Sequence, residues 1–196
     1  MRRSSLVVPS AFLTLTVALT GCATGANVAG SGANEELPTP VESSEPTMPE
    51  SGAAAALAQA QEWLDAANLP PGAVRTDTPS ASFNSYTGWP CGPYEELEGY
   101  WAIPKTTVVD VANWLIQNPT ADLITTNFGP ASEEWGPIDS AAVGYIPAVG
   151  SQEGIVYTLA KKDDGVAVRA EVAAQTDTAT CPPLPDGGMY GAPGQG

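Results

Sequence analysis

Within residues 53–181 of this 196-residue chain, acidic residues stand together at Glu95-Glu96-Glu98, Glu133-Glu134 and Asp163-Asp164. Two carboxylates held about 5–10 Å apart in a cleft can hydrolyse a glycosidic bond, one donating a proton while the other attacks or activates water. Neighbours along a strand point to opposite faces, however, and Asp163-Asp164 precedes a glycine in a turn-like context. The bland reading, solvated acids, is therefore the stronger one. No calcium-loop spacing is present. The chain has no histidine, which removes Ser-His and Cys-His dyads and the commonest transition-metal ligand. A serine–lysine hydrolase would need Lys105, Lys161 or Lys162 buried beside a serine, and no S-x-x-K motif occurs. No catalytic residue, metal site or cofactor is expected.

The densest unusual composition lies around Cys91, where Phe83, Tyr86, Trp89, Tyr94, Tyr100 and Trp101 cluster. Exposed, such rings could stack on sugars or peptide side chains at low entropic cost. Aromatics around a disulfide in a small domain more often form its core. Trp89, Tyr94, Tyr100 and Trp101 are the candidates for a binding patch.

The amino terminus carries chemistry of another kind. Arg2 and Arg3 precede an apolar run from Leu6 to Ala18, which is too short to span a bilayer core and has the length and flanks of a signal peptide. Leu19-Thr20-Gly21-Cys22 follows, and this resembles the lipobox of bacterial lipoproteins. The resemblance implies removal of residues 1–21 by a signal peptidase, which the small Gly21 suits. It also implies a thioether to diacylglycerol and an N-acyl chain, such as palmitate, on Cys22. Two or three acyl chains anchor stably where one binds marginally. Arg2-Arg3 lacks the Phe-Leu-Lys continuation of a twin-arginine signal, so general secretion is expected. The expected location is the cell membrane, lipid-anchored on the extracytoplasmic face.

Without residues 1–21 the chain keeps five basic residues (Arg75, Lys105, Lys161, Lys162 and Arg169) against 22 acidic ones, a net charge of −17. Such a surface repels nucleic acid and anionic headgroups, so no nucleic-acid partner is expected and the membrane is reached only through Cys22. Excess acid is also a common aid to solubility. In an oxidising compartment Cys91 and Cys181 are expected to pair.

Residues 22–52 combine the lipidated cysteine with a disordered acidic tether rich in Gly, Ala, Ser and Pro, reaching about 30 Å if flexible. Residues 53–181 should form one domain, and 182–196 a disordered tail. An alanine-rich helix is expected over Ala53–Ala67, capped by Ser51 and burying Leu57, Ala60, Leu64 and Ala67. Short strands are expected around Val74 and over Ser82–Tyr86, then a strand through Tyr100, Trp101 and Ile103 ending at Pro104. The clearest helix is Thr107–Gln117, with Thr107 and Asp110 as a capping pair, a stripe of Val108, Val111, Ala112 and Leu115, and Asn118-Pro119 as its stop.

Val143 and Tyr145 begin a strand that breaks near Pro147. A hairpin joins Gly154–Lys162 to Val166–Ala174 through an Asp164-Gly165 turn, pairing Ile155 with Ala174, Tyr157 with Val172 and Leu159 with Ala170. One face of it is apolar and the other largely polar, as a half-buried antiparallel sheet requires. The expected fold is a small two-layer α+β domain: an antiparallel sheet with a C-terminal hairpin, packed against one main helix, plus the N-terminal alanine-rich helix.

Leu69-Pro70-Pro71-Gly72-Ala73, Gly99-Tyr100-Trp101-Ala102-Ile103-Pro104, Val111-Ala112-Asn113-Trp114-Leu115 with Asn118-Pro119, and the strand Val166–Val172 together resemble a family of uncharacterised secreted and lipid-anchored actinobacterial proteins. The likeness covers residues 69–175. It implies an actinobacterial envelope and a small α+β domain, and carries no assigned activity. Where such proteins often have Arg or Thr beside the tryptophan, this chain has Tyr100 and Ala102.

The function expected is a non-catalytic, membrane-anchored module that binds an envelope protein or glycan. Two alternatives are a histidine-independent cell-wall hydrolase using paired carboxylates, and an envelope inhibitor or immunity factor that inserts a loop such as Ala131–Pro137 into its partner.

Overall fold

The computed structural model describes residues 50–84, 87–134 and 136–195. The leader, Cys22 and most of the tether lie outside the described residues. Helix α1 (Glu50–Asp65) opens the fold, so residues 50–52 are helix rather than tether, and Ser51 sits inside it instead of capping it. Its buried face is Ala56, Ala60, Trp63 and Leu64, while Leu57 is 44% exposed. Trp63 is the reason: seating that ring against the sheet turns the helix away from a stripe through Leu57. Among the described residues no helix is long and apolar enough to cross a membrane.

Six strands form one antiparallel sheet: β1 (Val74–Thr76), β2 (Gly92–Pro104), β3 (Ile124–Thr125), β4 (Ser140–Ile146), β5 (Gly154–Lys162) and β6 (Gly165–Thr180), in the order β1-β2-β6-β5-β4-β3. The strand expected at Tyr100–Ile103 is the end of the much longer β2. Residues 81–84 are not in a strand, and Ser85 and Tyr86 lie outside the described residues.

Helix α2 (Val108–Gln117) follows from local chemistry. Thr107 accepts from the Asp110 amide at 3.1 Å and donates to the Asp110 carboxylate at 2.8 Å, and the Asn118 side chain donates to the Trp114 carbonyl at 2.7 Å. Val108, Val111, Ala112 and Leu115 are all buried. Both helices pack on the same sheet face, over Trp101, Ile103, Val143, Tyr145, Ile155, Tyr157, Leu159, Val168 and Val172, which makes the two-layer α+β arrangement. Burying each large aliphatic side chain of this layer contributes about 1.5–3 kcal/mol.

The β5–β6 hairpin forms with a register two residues from the expected one: Ile155 pairs with Val172, Tyr157 with Ala170 and Lys162 with Gly165. The turn is therefore Asp163-Asp164. Gly165 belongs to the strand, where a Cβ would overlap the Ile103 carbonyl of β2. A shift of two preserves which side chains share a face, so the apolar and polar faces stand as expected.

Two tyrosines anchor the core. Tyr145 donates to the Leu115 carbonyl, Tyr157 shares a 2.7 Å hydrogen bond with Thr120, and the rings meet edge to face at 5.9 Å. Burial raises both phenol pKa values, with the neighbouring Tyr157 adding to the effect on Tyr145 and the Thr120 hydroxyl opposing it on Tyr157. A phenol held neutral in the fold contributes fully below the unfolded value near 10 and loses that contribution as pH rises above it. Stability should therefore fall above pH 10 by up to about 1.4 kcal/mol per pH unit for each of the two. Absorbance titration should show these two of the six tyrosines ionising only as the protein unfolds. Six phenols titrating together near pH 10 in the folded protein would contradict this.

The carboxyl-terminal segment is not a free tail. After a short 3-10 turn at Pro185–Gly187 it runs back onto the sheet, where Pro193 and Gly194 are buried. Side-chain hydrogen bonds to its carbonyls, from Thr126 to Pro193 and from Gln152 to Gly191, supply what composition alone did not indicate. Cys91 and Cys181 form a disulfide at the root of this segment.

Candidate binding site

Strand alternation divides the aromatic patch. Trp101 turns toward the helices, is 7% exposed and carries Arg75 over its ring at 5.3 Å, so it is a core residue. Tyr94 and Tyr100 share the opposite face of β2 with Glu96 and Glu98. Trp89, half-buried, donates to Glu96 at 3.0 Å. The four candidate rings therefore do not form one platform.

The opposite face of the sheet instead holds a polar cluster that the β2–β6–β5 register assembles. One row across it is Tyr100–Arg169–Thr158, and the next is Glu98–Glu171–Val156. Arg169 and Glu171 are ion-paired at 2.7 Å, with side chains only 13% and 6% exposed. Asn84 accepts from the same guanidinium at 3.4 Å, and the Phe83 ring lies 5.3 Å from it. Tyr100 donates to Glu98. That bond, then burial and the Glu98 charge, raise the phenol's pKa against the opposing pull of Arg169.

Among the described residues, Thr158 Oγ1, Arg169 Nε and Ser80 Oγ are buried with no hydrogen-bond partner. Beside Thr158 a cleft of about 620 Å³ opens between segment 81–84 and the end of β5, lined by Phe83, Asn84, Ser140, Thr158 and Lys162 among others. Lys161 and Asp139 pair at 2.8 Å on its rim, mostly exposed.

The acidic clusters read from the sequence are dispersed. Glu133 and Glu134 are exposed, and Asp163-Asp164 is the hairpin turn. Glu95 falls on the other face of β2 from Glu96 and Glu98. The carboxylates that do come face to face, Glu98 and Glu171, lie on different strands, a juxtaposition only the register reveals. The sequence did carry a signal for it: Arg169 and Glu171 are charged residues at alternate positions in a run of Val and Ala. Among the described residues no group of three or more Cys, Asp or Glu is placed to hold a metal ion. Loop Ala131–Pro137 is clasped at its start by Asn113, which accepts from the Ala131 amide at 2.8 Å and donates to its carbonyl at 3.0 Å. Trp135 within it lies outside the described residues.

No protein-family model, curated protein or solved structure matches the chain.

Proposed function

We propose that this chain is a lipid-anchored protein of the extracytoplasmic membrane face whose domain binds a polar envelope ligand, a glycan, in the cleft between segment 81–84 and β5. The observation that carries the reading is the unpartnered buried atom Thr158 Oγ1 on a residue lining that cleft, with unpartnered Arg169 Nε in the guanidinium that packs on the Phe83 ring. Leaving such an atom unsatisfied costs about 1–3 kcal/mol, so it marks a place where a hydroxyl-bearing ligand gains. An aromatic ring, Phe83, set among serine, threonine, asparagine and lysine side chains offers a stacking face and hydrogen bonds together, as sugar recognition requires. Segment 81–84, one wall of the cleft, is held to Arg169 by the Phe83 ring contact and one long hydrogen bond. Glu171 is ion-paired to Arg169 and Glu98 accepts from Tyr100, which supports binding over acid–base hydrolysis.

Retention of the protein on purified cell-wall glycan tests the ligand. Thr158→Val and Phe83→Ala are each expected to reduce it at least tenfold; retention equal to wild type, or none by wild type, would overturn the reading. The anchor is tested separately. Cys22→Ala should abolish incorporation of an alkyne-labelled fatty acid and move the protein from the membrane to the soluble fraction. A variant still labelled and still sedimenting with membranes would exclude lipidation at Cys22.

A further inference from the structure

The carboxyl-terminal residues occupy the sheet as a ligand occupies a receptor. Ala192-Pro193-Gly194-Gln195 closes a turn through a 3.1 Å hydrogen bond from the Gln195 amide to the Ala192 carbonyl. Proline at the second position and glycine at the third, with φ of +79° at Gly194, are the signature of a type II turn. The turn lies on Gly144 of β4. A Cβ at Gly144 would overlap the Pro193 carbonyl oxygen and come within 2.6 Å of Thr126 Oγ1. A Cβ at Gly194 would in turn lie 3.0 Å from the Gly144 backbone and 3.3 Å from Val156. Each side of the contact is thus shaped by a missing side chain.

The receiving surface is also chemically built. The Thr126 hydroxyl, on a residue only 7% exposed, donates to the Pro193 carbonyl at 2.9 Å. The Thr126 carbonyl accepts from the Gln195 side-chain amide, and Gln152 donates to the Gly191 carbonyl at 3.3 Å. Asn127 fixes the floor, accepting from the Gly144 amide at 3.3 Å and donating to the Ala142 carbonyl at 3.2 Å. The fully buried Val156 supplies the apolar wall. Carbonyl, glycine and glutamine of the turn are each met by a separate feature of the sheet.

We propose that this surface is a peptide-binding site for Pro-Gly-Gln turns, filled in cis by the chain's own terminus and able to accept such a turn from another chain. The site is separate from the cleft by Phe83 and stands or falls independently of it. A tethered segment competes at an effective concentration of order millimolar, so the resident turn masks the site.

The test uses the full chain and a fluorescent peptide of residues 190–196. Gly194→Val spoils the resident turn, because a β-branched residue is strained at positive φ, while leaving the receiving surface intact. It should bind the added peptide at least tenfold more tightly than wild type. Adding Gly144→Val to that variant should abolish binding. Should Gly144→Val fail to fold, Thr126→Val in its place removes only the hydroxyl and should weaken binding severalfold. Equal binding by wild type and Gly194→Val, or undiminished binding after the Gly144 or Thr126 change, would overturn the proposal. A peptide keeping Pro-Gly-Gln in unrelated flanks should bind comparably; failure to do so would show that the turn is not what is read.

Discussion

Replacing Cys91 and Cys181 together by alanine is expected to lower the stability of the domain by about 4–5 kcal/mol, the entropy released to the unfolded chain when a closed loop of this length opens. The two cysteines are 90 residues apart, and Gly92 already pairs with Thr180 in the sheet. The folded strands therefore sit together without the bridge, and its main action is on the unfolded ensemble. Cys91 is 1% exposed, so the variant also gives up a packed sulfur. For a domain of this size the melting temperature should drop by about 15 °C. Urea unfolding of the double variant, and of the wild type under reducing conditions, should give matching losses. A loss below about 1 kcal/mol in both would show that the bridge does not restrain the chain.

Arg169→Met is expected to cost up to about 3–5 kcal/mol, because it removes the cation ion-paired with a buried carboxylate. Glu171, 6% exposed at its side chain, is that carboxylate. Phe83 and Asn84 lose their partner in the same step, so segment 81–84 should exchange its amides faster than in wild type. Replacing both residues, Arg169→Met with Glu171→Leu, should recover most of the loss, since apolar replacement of a buried pair is often neutral. The double-mutant cycle isolates the pair from the general cost of altering the sheet. A single-variant loss under 1 kcal/mol, or a double variant no better than the single, would contradict the assignment of this pair as a buried, mutually dependent one.

Much of the fold is legible where local chemistry decides it. Helix α2 could be read residue by residue, since Thr107, Asp110 and Asn118 determine its ends and its apolar period determines its face. The hairpin's faces were legible for the same reason, because strand period survives a shift of two. Its turn was not, because glycine has two uses. Gly165 looks like a turn residue, but it is a strand residue that lets β2 approach closely, and neither Asp163 nor Asp164 adopts positive φ. Leu57 misled for a tertiary reason, the space taken by Trp63.

The site was the least legible part. Trp89, Tyr94, Tyr100 and Trp101 are close in sequence, but alternation along β2 sends Trp101 to the helices. Arg169, Glu171 and Thr158 are brought beside Tyr100 and Glu98 only by pairing between distant strands. Pro-Gly composition near the terminus resembles that of a disordered tail, and nothing local indicates that Gly144 leaves a seat for it.

The central strand pair has a kinetic consequence. β2 and β6 are the two longest strands, and they pair from Gly92 with Thr180 to Pro104 with Gly165. Until β6 is available, β2 has only the three-residue β1 as a sheet neighbour, and α1 lacks one of the two strands it mainly packs on. Sheets dominated by such distant pairings fold on the millisecond-to-second scale. A chain that emerges amino-terminus first thus leaves β2 and α1 without β6 until residues 165–180 have appeared. Strand order works here as a timer, tying completion of the sheet to the arrival of β6.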